Sequence, residues 1–162
     1  MLAVSNTSPI SNLAIIGRLE FLRRRYQTIH IPQGVADELK ALTHVPASKR
    51  LQASLSEGWL IVKPLSAHAL QPLPFVLDRG EMEAILLACQ LKADVLLMDE
   101  KRGREAARHR GLVVAGVLGE MIHAKLAGWI PNVGDEIRRL RAEAGFFVDA
   151  TVERFILSQA GE

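Results

Sequence analysis

Asp94-Val95-Leu96-Leu97-Met98-Asp99 is the stretch on which the reading of the fold turns. Four consecutive apolar residues without polar alternation mark a strand buried on both faces, the habit of a parallel sheet. Downstream, residues 101–110 have helical spacing and hold Lys101, Arg102, Arg104, Arg108 and Arg110; residues 112–114 read as a short strand and 118–126 as a helix ending before Gly128. Two further helices, about 135–144 and 149–159, are expected after them. Upstream, Asp78-Arg79-Gly80-Glu81 fits a capping box opening a helix whose buried face is Met82, Ile85, Leu86 and Cys89. Residues 63–77, with Pro64, Pro72 and Pro74, have no period and read as the longest irregular connection, placed to border a site.

The first half repeats the alternation. Residues 2–5 read as a strand, with Ser8 as the N-cap and Pro9 as the first residue of the next helix, and Gly17 divides that helix from a second piece bearing Arg23, Arg24 and Arg25. Strands are expected at 28–31 and 59–62. Between them lies a helix with the stripe Val35, Leu39 and Leu42, interrupted by His44-Val45-Pro46 before helical spacing resumes over 49–57. Strands alternating with helices predict an α/β chain with a parallel central sheet flanked by helices in three layers.

The chain has 162 residues, 49% of them hydrophobic and 23% charged, enough for one domain and too few for two ordinary ones. No apolar run approaches the roughly 20 residues that cross a bilayer, and the N-terminus lacks a secretory pattern, so a cytoplasmic protein without a membrane partner is expected. The single cysteine, Cys89, excludes an intramolecular disulfide and a Cys-rich zinc site, and its apolar neighbours place it in the core. Twenty bases against 18 acids, a net charge of +2, favour a polyanionic partner only weakly. Neither Gly-rich phosphate-loop pattern occurs, which counts against an ordinary nucleotide-binding protein. The five histidines have no metal-ligand spacing.

Ligand crevices of open α/β sheets lie beyond the carboxyl ends of the strands, where Asn6 and Asp99 stand. Helices returning from those ends start at the same edge and bring Glu38 and Glu81 toward it. At 100° per residue Glu38 is about 60° from the middle of its apolar stripe, at the rim, while Asp37 points to water; Glu81 is about 100° off its own stripe. Each residue also has a plain structural reading: Asn6 as a turn residue, Asp99 as a helix cap, Glu38 as a solvated side chain, Glu81 as the acid of a capping box, Glu83 as an outward charge. Arg23 to Arg25 and Arg138, Arg139 and Arg141 read as helix surface, and His123 as a helix-surface or core-edge residue.

Val4-Ser5-Asn6-Thr7-Ser8 resembles the opening strand-end motif of PIN-domain nucleases, with Asn6 where that motif has Asp. Glu81-Met82-Glu83-Ala84-Ile85 and Ala93-Asp94-Val95-Leu96-Leu97-Met98-Asp99 resemble the family's later acidic helix and strand, and Glu38 stands where its second acid falls. Asn6-Thr7-Ser8-Pro9, Asp99-Glu100-Lys101-Arg102, the 115–129 stretch and Ala160-Gly161-Glu162 are similar to a PIN-like subgroup related to toxin nucleases of VapC type. The resemblance implies a single PIN-like domain over 1–162, with extra C-terminal helices from about residue 132. It implies a metal-dependent endoribonuclease acting on single-stranded RNA, the toxin of a toxin–antitoxin pair with a small antitoxin protein as partner, and a homodimer. Asn6, Glu38, Glu81 and Asp99 would then be catalytic and hold Mg²⁺ or Mn²⁺, hard cations that prefer oxygen. Ser8 would support them, and Arg102 and Arg104 would hold phosphate. The alternative is a catalytically weakened PIN-like module that binds RNA or protein, a reading that rests on Asn6.

Overall fold

The computed structural model describes residues 1–69 and 73–162. Five parallel strands, β1 (Ala3–Ser5), β2 (Ile29–Ile31), β3 (Leu60–Val62), β4 (Val95–Leu97) and β5 (Val114–Ala115), stand in the order β3-β2-β1-β4-β5. The helices are α1 (Thr7–Ile15), α2 (Glu20–Tyr26), α3 (Gln33–Lys40), α4 (Val45–Ser56), α5 (Arg79–Leu91), α6 (Lys101–His109), α7 (Val117–Leu126), α8 (Val133–Ala144) and α9 (Ala150–Gln159), and a 3₁₀ turn covers Ala67–Ala69. The expected α/β architecture holds. The chain moves from β1 toward β2 in one direction and from β4 toward β5 in the other, so right-handed crossovers put their helices on opposite faces. Every residue of β1 and β4 is buried, whereas β3 and β5 at the edges are partly open. Register pairs Ala3 with Val95, Val4 with Leu96 and Ser5 with Leu97, which brings the carboxyl ends of β1 and β4 level.

Several boundaries differ from expectation. Asn6, rather than Ser8, occupies the N-cap of α1, so Pro9 falls in its third position and Ser8 is inside the first turn. Proline is tolerated there because those N–H groups have no partner within the helix. His44-Val45-Pro46 begins α4 instead of interrupting a helix: the His44 ring Nδ1 accepts from Ala47 N at 3.1 Å, and Pro46 lies in the first turn. The last strand is Val114–Ala115, slightly beyond the expected 112–114, because Val114 pairs with Leu96 and Ala115 with Leu97. On α5 the buried side is Ala84 to Ala88 as a block, and Cys89 is half-buried. A stripe calculation misses this because both sides of a central helix are covered. The expected irregular connection over residues 63–77 holds one 3₁₀ turn, and its residues 70–72 lie outside the described residues.

Some charges expected at the surface are structural. Glu83 accepts from Gly34 N at 2.6 Å and Arg79 Nε at 2.8 Å, fastening α5 to α3. Arg25 donates to the buried Glu120, which also accepts from Tyr26 Oη at 2.7 Å; that carboxylate and burial hold the Tyr26 phenol well above its ordinary range. Arg139 donates to Ile16 O at 2.5 Å, and Arg141 reaches Val148 O at 2.8 Å and Glu153 at 2.5 Å, so α8 is tied to the end of α1 and to α9. Buried Glu136 accepts two bonds from Arg18, at 2.7 and 3.1 Å. Charges buried this way survive because each is paired. Among the described residues no helix is long and apolar enough to cross a membrane.

Gly103 sets how closely α6 approaches the sheet. A Cβ there would collide with Met98 Sδ and lie 3.2 Å from its Cγ, and Met98 is fully buried. Gly103→Ala is expected to destabilise the fold by about 1–3 kcal/mol through overpacking. Gly119→Ala on α7, where a Cβ meets nothing within 4 Å, should be neutral or stabilising by up to about 1 kcal/mol. Urea melts of both variants check the contrast, and equal effects would refute the close-approach account.

Candidate metal centre at the carboxyl ends of β1 and β4

The sheet order changes direction between β1 and β4, and the candidate site lies beyond their ends. Asn6 N donates to Leu97 O at 3.0 Å, extending the β1–β4 ladder by one bond and laying Asn6 beside the end of β4. The Asn6 side chain is 3% exposed. Its Nδ2 donates to Glu100 Oε2 at 3.0 Å, while Oδ1 is buried without a hydrogen-bond partner. Such orphaned acceptors are uncommon in folded proteins.

Asp99 is held on both oxygens. Oδ1 accepts from Val117 N at 2.8 Å, supplying the cap that Gly116 cannot give α7, and Oδ2 accepts from Ser8 Oγ at 3.2 Å. Ser8 is oriented in turn by Asn12 Nδ2 at 3.1 Å. Burial pushes the Asp99 carboxyl up to about 6; the Val117 N–H opposes that, the Glu100 charge adds to it, and Ser8 and Arg104 pull it back.

Glu81 is buried and serves two ends. Its backbone N donates to Asp78 Oδ1 at 2.8 Å and its Oε2 accepts from Asp78 N at 3.1 Å, completing the capping box, while Oε1 lies 3.4 Å from where a Cβ on Gly103 would stand. Burial raises its pKa first, the Asp78 N–H opposes, and the charges of Asp78, Glu100 and Glu38 raise it further. Glu81 therefore lies in the field of three other acids. Glu38, exposed at the rim, accepts from Thr7 Oγ1, and its Oε1 stands 2.5 Å from a Cβ position on Gly80, so only glycine leaves it that place. Asp37 points to solvent and pairs with Arg79 at 3.1 Å.

The structure thus gathers Asn6, Ser8, Glu38, Glu81 and Asp99 around one sheet edge. Among the described residues, no three His, Cys, Asp or Glu side chains form a ready cage for a metal ion. The donor set is nonetheless all oxygen, and the buried, unpartnered carbonyl of Asn6 fits a hard divalent cation. Glu100 and Thr7 were not singled out in the sequence. Two successive acids at a strand end were a signal for Glu100; nothing local marked Thr7, whose partner is 31 residues away. Of the basic residues, Arg104 turns inward to Met98 O at 2.9 Å, while Arg102 is exposed on α6.

A switch-point crevice edged by carboxylates stands where open α/β sheets bind their ligands. The chain matches the PIN-domain family DUF3368 over residues 2–162, and it belongs to that family. The solved structure of a PilT N-terminus domain protein from the archaeon Sulfolobus solfataricus P2 is similar in fold, with a TM-score of 0.53 and 24% identity over 74% of this chain and 90% of that one. VapBC2 from Rickettsia felis, bound to a DNA fragment from their promoter, gives a TM-score of 0.47 and 17% identity over 72% of this chain and 98% of that one. No curated protein matches.

A carboxyl whose pKa is raised in the folded state binds its proton more tightly there than in the unfolded chain, so stability falls as pH rises through that window. For Asp99 the window runs from its ordinary value near 4 to about 6. In EDTA, Asp99→Asn is expected to be more stable than the parent above pH 6 by about 1–3 kcal/mol, with the gap closing below pH 4. Urea melts across pH check this, and a gap independent of pH would contradict the burial of the charge.

Proposed function

We propose that this PIN domain is a divalent-cation-dependent endoribonuclease that cleaves single-stranded RNA. The observation that carries the reading is the buried, unpartnered Asn6 Oδ1, an oxygen free for a cation on a side chain whose nitrogen bonds Glu100, the acid whose charge also acts on Asp99 and Glu81. Asn6, Glu38, Glu81 and Asp99 would hold Mg²⁺ or Mn²⁺, which when bound activates water and offsets phosphodiester charge. Ser8 and Val117 N fix the rotamer of Asp99, Thr7 fixes Glu38, and the capping box fixes Glu81. Burial keeps Glu81 and Asp99 poorly hydrated, which strengthens their pull on a cation. Arg104, and Arg102 from the surface of α6, would hold phosphate. The cellular setting implied by the family resemblance is the toxin of a toxin–antitoxin pair, working as a homodimer and restrained by a small protein antitoxin.

A second reading, a PIN module that binds without cleaving, is favoured by one feature: Asn6 is neutral and already bonded to Glu100. The two readings separate on purified protein. Cleavage of single-stranded RNA should require Mg²⁺ or Mn²⁺ and stop in EDTA. Glu81→Gln and Asp99→Asn should lose activity on the order of 100-fold or more, and Ser8→Ala, which only orients Asp99, about tenfold. RNA binding with no cleavage in any metal would support the binding module.

Asn6→Asp sharpens the test. Facing Glu100, the new carboxylate should destabilise the protein in EDTA and tighten Mn²⁺ binding, so added Mn²⁺ should raise its Tm more than that of the parent. An equal Mn²⁺ response in calorimetric titration and thermal melts would place the ion away from Asn6.

A further inference from the structure

We propose that the groove between α6 and the α8–α9 loop is a base-stacking subsite for single-stranded nucleic acid, with Phe147 and Phe155 receiving bases and Lys101 and Arg108 holding the intervening phosphates. This deepens the nuclease reading and rests on it. The groove has a volume of about 650 Å³; α6 lines one side with Lys101, Arg104 and Arg108, and Phe147, Val152 and Phe155 line the other. Phe147 is 84% exposed and Phe155 62%. Two large rings left in water beside a row of cations form the arrangement on which unpaired bases stack while their backbone is neutralised.

The charges of α6 are arrayed for this. Lys101, Arg104 and Arg108 follow at i, i+3 and i+7, within one face, whereas Arg102 lies about 130° away from the middle of that face. Among the described residues neither Lys101 nor Arg108 makes an ion pair. Burial lowers the pKa of Arg104, and the Arg108 charge lowers it further against a pull from Asp99. Asp149, also on the wall, is engaged as the cap of α9, accepting from Val152 N at 2.8 Å.

Continuity with the metal centre favours a nucleic acid over a protein helix. Asp99 stands in the wall of the groove, and Phe147 also borders a neighbouring recess of about 380 Å³ lined by Ser8, Asp99 and Glu100. A base on Phe147 would thus lie next to the oxygens that the nuclease reading assigns to chemistry.

Binding read in EDTA tests the subsite apart from cleavage. A fluorescein-labelled single-stranded oligoribonucleotide and an abasic one of equal length are titrated into the full chain by anisotropy. Phe147→Ala and Phe155→Ala should each weaken binding of the intact strand about 5- to 10-fold and leave the abasic strand unchanged. Arg108→Ala should weaken both strands alike and reduce the salt slope by about 0.7. Phe147→Trp should retain affinity, with its fluorescence quenched on binding. Phenylalanine variants that bind the intact strand like the parent would overturn the proposal while leaving the nuclease reading standing. So would a parent that binds no strand at low salt, or a dimer that Phe147→Ala dissociates, which would give the groove to a second copy. Stacking without cleavage in Mg²⁺ or Mn²⁺ would sustain the subsite and remove the nuclease.

Discussion

The parallel pairing of β1 with β4 is the constraint on which everything else in the molecule hangs. These two short strands are fully buried, and their register is fixed at both ends: Leu2 N donates to Asp94 Oδ2 at 2.6 Å before the ladder begins, and Asn6 N donates to Leu97 O after it. A slip of one residue would turn every side chain to the opposite face. With the register fixed, Asn6 and Asp99 arrive at the same end of the sheet although 93 positions separate them, counting from the numbering. The crossovers that leave them run in opposite directions, which opens the crevice between them.

Putting several acids at one edge is costly, and the surroundings show how the cost is contained. Each carboxylate near the mouth accepts from a neutral donor: Asp99 from Val117 N and Ser8, Glu81 from Asp78 N, Glu38 from Thr7, Glu100 from Asn6. Neutral donors steady an anion without cancelling its charge. Of the cations of α6, Arg104 comes near Asp99 and offsets part of its charge, while Lys101 and Arg108 continue along the groove.

Much of this was legible in sequence, and for identifiable reasons. The run from Val95 to Met98 announces a doubly buried strand by composition alone, and the acids at strand ends and first helical turns follow from the geometry of α/β sheets. Helical angles placed Glu38 at the rim and Asp37 in water. What escaped the sequence was set by partners distant in the chain. Ser8 looked like a cap because Ser-Pro is a common helix start; the cap fell to Asn6 because β1 ends one residue before it. Glu83 looked like a surface charge because nothing local reveals that Gly34 N points at it. Arg139 and Arg141 looked idle because the acceptors that tie them to other elements, Ile16 O for Arg139 and Val148 O and Glu153 for Arg141, lie outside their own helix.

The double duty of Asp99 also bears on how such a domain changes over generations. One of its oxygens caps α7, a task that needs an acceptor and no charge. An amide in its place would keep that acceptor, so losing chemistry there need not entail losing the fold. Asn6 has this form already: a neutral, buried side chain at a strand end, its amide nitrogen bonded to Glu100. At Asp99 the cap and the charge are separable: exchanging carboxylate for amide alters the electrostatics of the crevice while the helix beneath it keeps its acceptor.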